Sequence, residues 1–147
     1  LISACDNAAI YDQTNFFDLI DDPSVDVSVW AFTNHPTGKI NPNMYSWLDV
    51  DAEGIVRHVS CKQFVEGRRH AIIGTMYFRR AEYFLGGLKV NVDWDIRTNG
   101  EFYVDDVLNQ NIEQGLKVKV FEVDNYVCWG TPNDYKTYQY WSDYFKK

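Results

Sequence analysis

Cysteine is scarce and carries no pairing pattern. Cys5, Cys61 and Cys128 are odd in number, widely spaced and free of any Cys-x-x-Cys pair, which excludes a disulfide framework and a zinc site of the usual spacing. Positive charge is in deficit as well. The 14 Lys and Arg against 21 Asp and Glu leave a formal charge of −7, which repels a phosphate backbone and excludes general nucleic-acid binding, though one local basic pocket for a phosphorylated ligand stays allowed. No apolar run approaches a membrane span, and the opening residues Leu1 to Asp6 lack the basic start of a signal peptide. The expectation is a soluble chain in a reducing cytoplasm, with neither nucleic acid nor membrane as partner. The only tandem glycines, Gly86 and Gly87, stand in the wrong order relative to strand and helix for a phosphate-cradling loop. No serine-histidine or cysteine-histidine nucleophile arrangement, internal repeat or low-complexity tract is present.

What is present fits one domain, since 147 residues can bury a sizeable core. Leu1 to Cys5 reads as a short buried strand. It begins at once and without Met, so the polypeptide is expected to continue upstream, as a fragment or a processed chain. Ala8 to Ile20 is compatible with a helix or a turn-rich connection, and Asp21 to Ser24 is a turn cluster. Val25, Val27, Val29 and Ala31 alternate with Asp26, Ser28 and Trp30 as a strand does, and Asn34 to Asn43 is loop chemistry. A hairpin turns at Asp51 to Gly54, and Ala71 to Phe78 is a continuous apolar run of central-strand type. Arg80 to Leu85 starts a helix that Gly86 and Gly87 are expected to end. Val104, Val107, Leu108 and Ile112 keep the helical period over Tyr103 to Gln114, with Gly115 as cap. Leu116 to Val123 alternates as a strand. Thr131, Pro132 and Asp134 then form a capping sequence for a last helix over Tyr135 to Phe145.

Four features occur in a fixed order: Gly100-Glu-Phe-Tyr-Val-Asp-Asp-Val-Leu-Asn109, the Glu113-Gln-Gly115 turn, a short strand, and Tyr126-Val-Cys-Trp-Gly-Thr-Pro-Asn-Asp-Tyr135. Together they resemble the carboxyl-terminal half of sugar-phosphate nucleotidyltransferases, and the Cys-Trp-Gly-Thr-Pro form resembles the capsule-biosynthesis branches of that family. The resemblance implies an α/β fold, a mixed sheet with flanking helices, lacking the amino-terminal nucleotide-binding portion. It also implies nucleoside triphosphate and a sugar phosphate, or another phosphorylated small molecule, as partners, and direct attack without a covalent enzyme intermediate.

The candidate residues follow from that resemblance and from their own chemistry. Asp6 stands where a strand stops; the resemblance makes it the ligand of a divalent ion, Mg²⁺, while its local alternative is a cap on the next element. Lys62 aligns with a lysine that meets the sugar phosphate, with solvation at a strand end as the alternative. Tyr45 and Ser46 align with a Tyr-Gly segment beside the sugar, where Ser46 in place of Gly narrows the approach. Glu101 can accept from two sugar hydroxyls or stabilise the dipole of the following helix, and Asp105 and Asp106 read as dipole partners. His35 can meet phosphate when protonated or serve as a turn residue. Arg68-Arg69-His70 suits a phosphate, though solvation is favoured. The family's second metal carboxylate would fall before Gly-Thr, where this chain has Cys128.

Two readings result. The first is the acceptor-side half of a nucleotidyltransferase, inactive alone for want of the α-phosphate cradle. The second is a non-catalytic binding or assembly module that self-associates through strand edges and the aromatic stripe Tyr135, Tyr138, Trp141 and Phe145.

Overall fold

The computed structural model describes residues 1–146. The chain opens with strands β1 (Ile2–Ser3) and β2 (Asn7–Ile10), helix α1 (Gln13–Asp21), strand β3 (Val27–Phe32) and the short helix α2 (Pro36–Ile40). A 3-10 turn at Pro42–Met44 leads to β4 (Trp47–Val50), β5 (Val56–Ser60) and the long strand β6 (His70–Phe78). Helices α3 (Ala81–Asp93) and α4 (Val104–Glu113), strands β7 (Val118–Glu122) and β8 (Asn125–Cys128), and helix α5 (Pro132–Phe145) complete it. The sheet order is β5-β4-β6-β3-β7 with β1 also on β6, and β2 pairs with β8 in a second small sheet. Among the described residues only β3 and β7 pair in parallel, so the mixed sheet with flanking helices expected from the sequence is the fold adopted.

Strand alternation divides the core. Val27, Val29 and Ala31 face one side with Val107 and Leu108 of α4, whereas Trp30 and Phe32 face the other with Phe16, Phe121 and Trp47. Every residue of β3 is therefore buried, and the alternation seen in sequence separates two apolar faces instead of a wet and a dry one.

Several expectations need correction. β1 is not buried: Leu1 is 72% exposed, because only two residues pair with the edge of β6. The Ala8 to Ile20 stretch splits into β2 and α1, since Ala8 to Ile10 find β8 as a partner and Asp12 caps the helix from Thr14 onward. Asn34 to Asn43 is not all loop but holds α2, with Pro36 at its first turn. Gly86 and Gly87 do not end α3, which runs on to Asp93. The reason is contact: a Cβ on Gly87 would lie 2.8 Å from Val107 Cγ1, so the glycine lets α3 and α4 close together.

One edge of β6 changes partner along its length. Ala71 pairs with Trp47 of β4, while Thr75 and Met76 pair with Ser3 and Ile2 of β1 on that same edge, opposite β3. Between them β6 bulges at Gly74, whose φ of +79° only glycine adopts readily and whose missing Cβ leaves room for Ala4. A cleft opens at this change of partner.

Candidate functional site

The cleft has a volume of about 460 Å³. Asp6 and Asn7 form one wall, Tyr45 and Lys62 another, and Tyr103 with Asp105 the mouth of α4, over a floor of Ile73, Gly74 and Met76. Asp6 is placed by the small sheet: its carbonyl accepts from Trp129 N at 2.8 Å while Asn7 pairs with Cys128, bringing the Cys128-Trp129-Gly130 turn beside it. Gly130 packs beside it, where a Cβ would lie in ordinary contact at 3.5 Å from Asp6 Oδ2 and 3.6 Å from Cys128 Sγ. Asn7 Nδ2 donates to Ile73 O at 2.8 Å and ties this wall to the floor.

Lys62 sits at a left-handed backbone position, φ +50°, unusual for a residue with a side chain. Its amide donates to Ser46 Oγ at 3.1 Å and its ammonium to Met44 O at 2.8 Å, with the Tyr103 ring 5.2 Å away. Ser46 is buried and does not line the cleft. Its hydroxyl donates to Asp105, accepts from the Lys62 amide and lies 3.7 Å from Cys61 Sγ, so it fixes the turn that aims Lys62 and leaves the approach open. The narrowing expected from a side chain at this position does not occur.

Tyr45 lines the wall with its hydroxyl 2.7 Å from Thr37 Oγ1 and 3.9 Å from Cys128 Sγ. His35 is not in the cleft: it caps α2, and its Nδ1 meets Thr37 Oγ1 at 2.7 Å, two hydrogen bonds away from the wall. Glu101 is also outside, its carboxylate accepting from Tyr103 OH at 3.0 Å. Asp6, Lys62 and Tyr45 are thus brought together, while Ser46, Glu101 and His35 stand behind or beside them. Asp105 stands in the first turn of α4, as a dipole partner does, and also lines the cleft, which sequence reasoning missed. Helical spacing puts it on the face of Leu108 and Ile112, which was the available signal.

The electrostatics separate two carboxylates. Asp105 keeps some surface exposed, yet its carboxyl lies deep, and burial raises its pKa against the opposing pull of Ser46 and Lys62. Asp6 is exposed and accepts no side-chain hydrogen bond among the described residues. Burial pushes the Tyr45 hydroxyl and the Cys61 thiol up to about 12, so both are neutral donors at neutral pH. His35 titrates below its ordinary range, chiefly from burial.

Among the described residues no group of three or more His, Cys, Asp or Glu is placed to hold a metal. The cleft offers one open hard donor, Asp6, with the soft sulfur of Cys128 across Gly130. That set fits a magnesium ion completed by phosphate oxygens and water, and does not fit a cation caged by protein alone.

No family model matches the chain, and no curated protein matches it by sequence. Solved structures do. A nucleoside-diphosphate-sugar pyrophosphorylase from Vibrio cholerae RC9 superposes with a TM-score of 0.67 at 15% identity, covering 90% of this chain and 52% of that one. The fold is the nucleotidyltransferase fold. An inositol-1-phosphate CTP transferase from T. maritima gives 0.64 at 15% identity over 93% of this chain and 52% of that one. A CMP:2-keto-3-deoxy-manno-octonic acid synthetase complexed with CTP gives 0.55 at 14%, over 89% and 54%. The chain spans about half the length of these nucleotidyltransferases. Among its described residues no helix is long and apolar enough to cross a membrane.

Proposed function

We propose that the cleft binds the phosphorylated acceptor of a nucleotidyl transfer, as the acceptor-side half of a sugar-phosphate nucleotidyltransferase. The observation that carries this reading is the convergence of Asp6, Tyr45 and Lys62, from three separate segments, on one cleft in a nucleotidyltransferase fold. The Lys62 ammonium would leave Met44 O to neutralise the acceptor phosphate, and the Tyr45 hydroxyl, neutral and held by Thr37, would orient a sugar hydroxyl. Asp6 would hold Mg²⁺, which when bound supplies charge neutralisation between phosphate groups. The chain has no Gly-rich turn that could cradle an α-phosphate, so these residues by themselves are proposed to bind without turning over.

The test has two readouts. Calorimetry with a panel of sugar 1-phosphates is expected to show weak binding that needs Mg²⁺ and weakens about tenfold in Lys62→Ala, the scale of one lost charge-assisted hydrogen bond. Pyrophosphate release from each nucleoside triphosphate is expected to stay at background, because loss of even one preorganised donor costs about a hundredfold in rate. Robust turnover abolished by Asp6→Asn would mean that the nucleotide site lies within this chain. A second reading, an assembly module, is favoured by α5, which has no buried residue and presents Tyr140, Trp141, Tyr144 and Phe145 to solvent.

A further inference from the structure

Between α2, the start of β4 and the loop from Phe64 to Arg69 lies another concavity, of about 370 Å³, that the proposed reaction does not use. Its apolar interior is built from Phe32 and Trp47, both buried, and from Phe64, 41% exposed and edge-on to Trp47 with ring centroids 4.9 Å apart. Gly38 of α2 packs on this interior so closely that a Cβ would lie 3.0 Å from Phe32 Cε2 and 3.7 Å from Trp47 Cη2. The position of Phe64 is fixed through its amide, which donates to Asn43 Oδ1 at 2.9 Å. The interior therefore offers a partly open aromatic face held from both sides.

Its polar lining is Thr33, the neutral His35 and three cations, Lys39, Arg68 and Arg69, with no carboxylate, on a chain whose formal charge is −7. Arg68 is committed: Nη1 donates to Trp47 O at 3.1 Å and Ser60 Oγ at 2.6 Å, with Asp49 4.0 Å from Nη2. Lys39 and Arg69, both exposed, make no hydrogen bond and no ion pair among the described residues. The nearby carboxylate of Glu122 is engaged by Thr33 and His70. What remains is an aromatic surface with two uncommitted cations beside it and a fixed guanidinium behind. This is the complement of a flat apolar body carrying an anion, with the ring against Phe64 and the charge on Lys39 and Arg69.

We infer that this concavity is a second ligand site, distinct from the cleft, for a phosphorylated aromatic molecule of the nucleoside monophosphate class. It does not rest on the reading of the cleft, and the two fail separately.

The experiment is titration of the full chain with CMP, AMP and phenyl phosphate, followed by amide chemical shifts and by calorimetry. Cytidine and ribose 5-phosphate serve as the half-ligands, and all titrations are run without Mg²⁺, which sugar-phosphate binding in the cleft is proposed to need. Shifts are expected at Gly38, Lys39, Phe64 and Arg69, with each half-ligand binding at least about tenfold more weakly than CMP. Lys39→Ala, Arg69→Ala and Phe64→Ala are each expected to weaken binding, and Asp6→Asn and Lys62→Ala to leave it unchanged. Lys39 and Arg69 are exposed and unbonded, so their variants keep the fold, which the remainder of the spectrum checks. Shifts centred on Lys62 and Gly130, or loss of binding in Lys62→Ala, would move the ligand to the cleft and overturn the inference. So would cytidine binding as well as CMP, or the absence of any binding at millimolar concentration.

Discussion

Ser46, behind the cleft, and Asp105, at its mouth, set its condition together. Asp105 is drawn out of water with Ser46 as its donor, and its raised pKa means that the folded state holds its proton to a higher pH than the unfolded chain does. Its contribution to stability is therefore fully present below the ordinary carboxyl pKa of 3.8 and is lost as pH rises through the folded value. Asp105→Asn removes that loss. Thermal unfolding of the variant and the parent across pH is expected to show the variant more stable at neutral pH, with the gap closing toward pH 3. A gap that is constant with pH would mean that Asp105 titrates as it does in the unfolded chain. That Asp6 lies outside the strands on either side of it was legible from the break after the opening apolar run. The role of Ser46 was not, because a glycine-to-serine change reads as obstruction until the side chain is seen turned away into its own hydrogen bonds.

At the scale of elements, the tandem glycines give the sharpest test. A Cβ at Gly87 would meet Val107 Cγ1 at 2.8 Å and Val107 O at 3.1 Å, whereas nothing lies within 4 Å of one at Gly86. Gly87→Ala is expected to destabilise by about 1–3 kcal/mol through overpacking. Gly86→Ala is expected to stabilise by about 0.5–1 kcal/mol through helix propensity. Denaturant unfolding of both variants checks the pair, and effects of the same sign would refute the contact. Sequence reasoning took these glycines as a helix end because a C-cap and a close helix crossing both call for the missing Cβ. Only the partner helix distinguishes them. The 47–60 hairpin, β6, α4 with Gly115 and the Thr131 cap were all readable, because each is specified locally by period, turn or cap. The β2–β8 sheet was not, since nothing local in Asn7 to Ile10 announces a partner more than a hundred residues on.

For the molecule as a whole, the outstanding surface is α5. An isolated helix of 14 residues is marginal in water, and this one buries no residue of its own while Trp141 stacks on Phe145 at 6.0 Å and meets Tyr144 edge-on at 5.8 Å. Aromatic area of this extent seeks a partner, and the chain is expected to self-associate through it. Sedimentation over a wide concentration range is expected to show a mass that rises with concentration, and Trp141→Lys with Phe145→Lys is expected to return it to the monomer. A parent that stays monomeric throughout would remove α5 as an interface.

The change of partner along β6 has a consequence for how the molecule comes together. The hairpin and the helices need only near neighbours, but the cleft needs Ile2 beside Met76 and Asn7 beside Cys128. Closing such long loops is slow relative to local structure. The wall carrying Asp6 and Asn7 is then expected to form after the hairpin that carries Tyr45 and Lys62, and a partly folded molecule, whatever its helix content, would present only half of the cleft to a ligand.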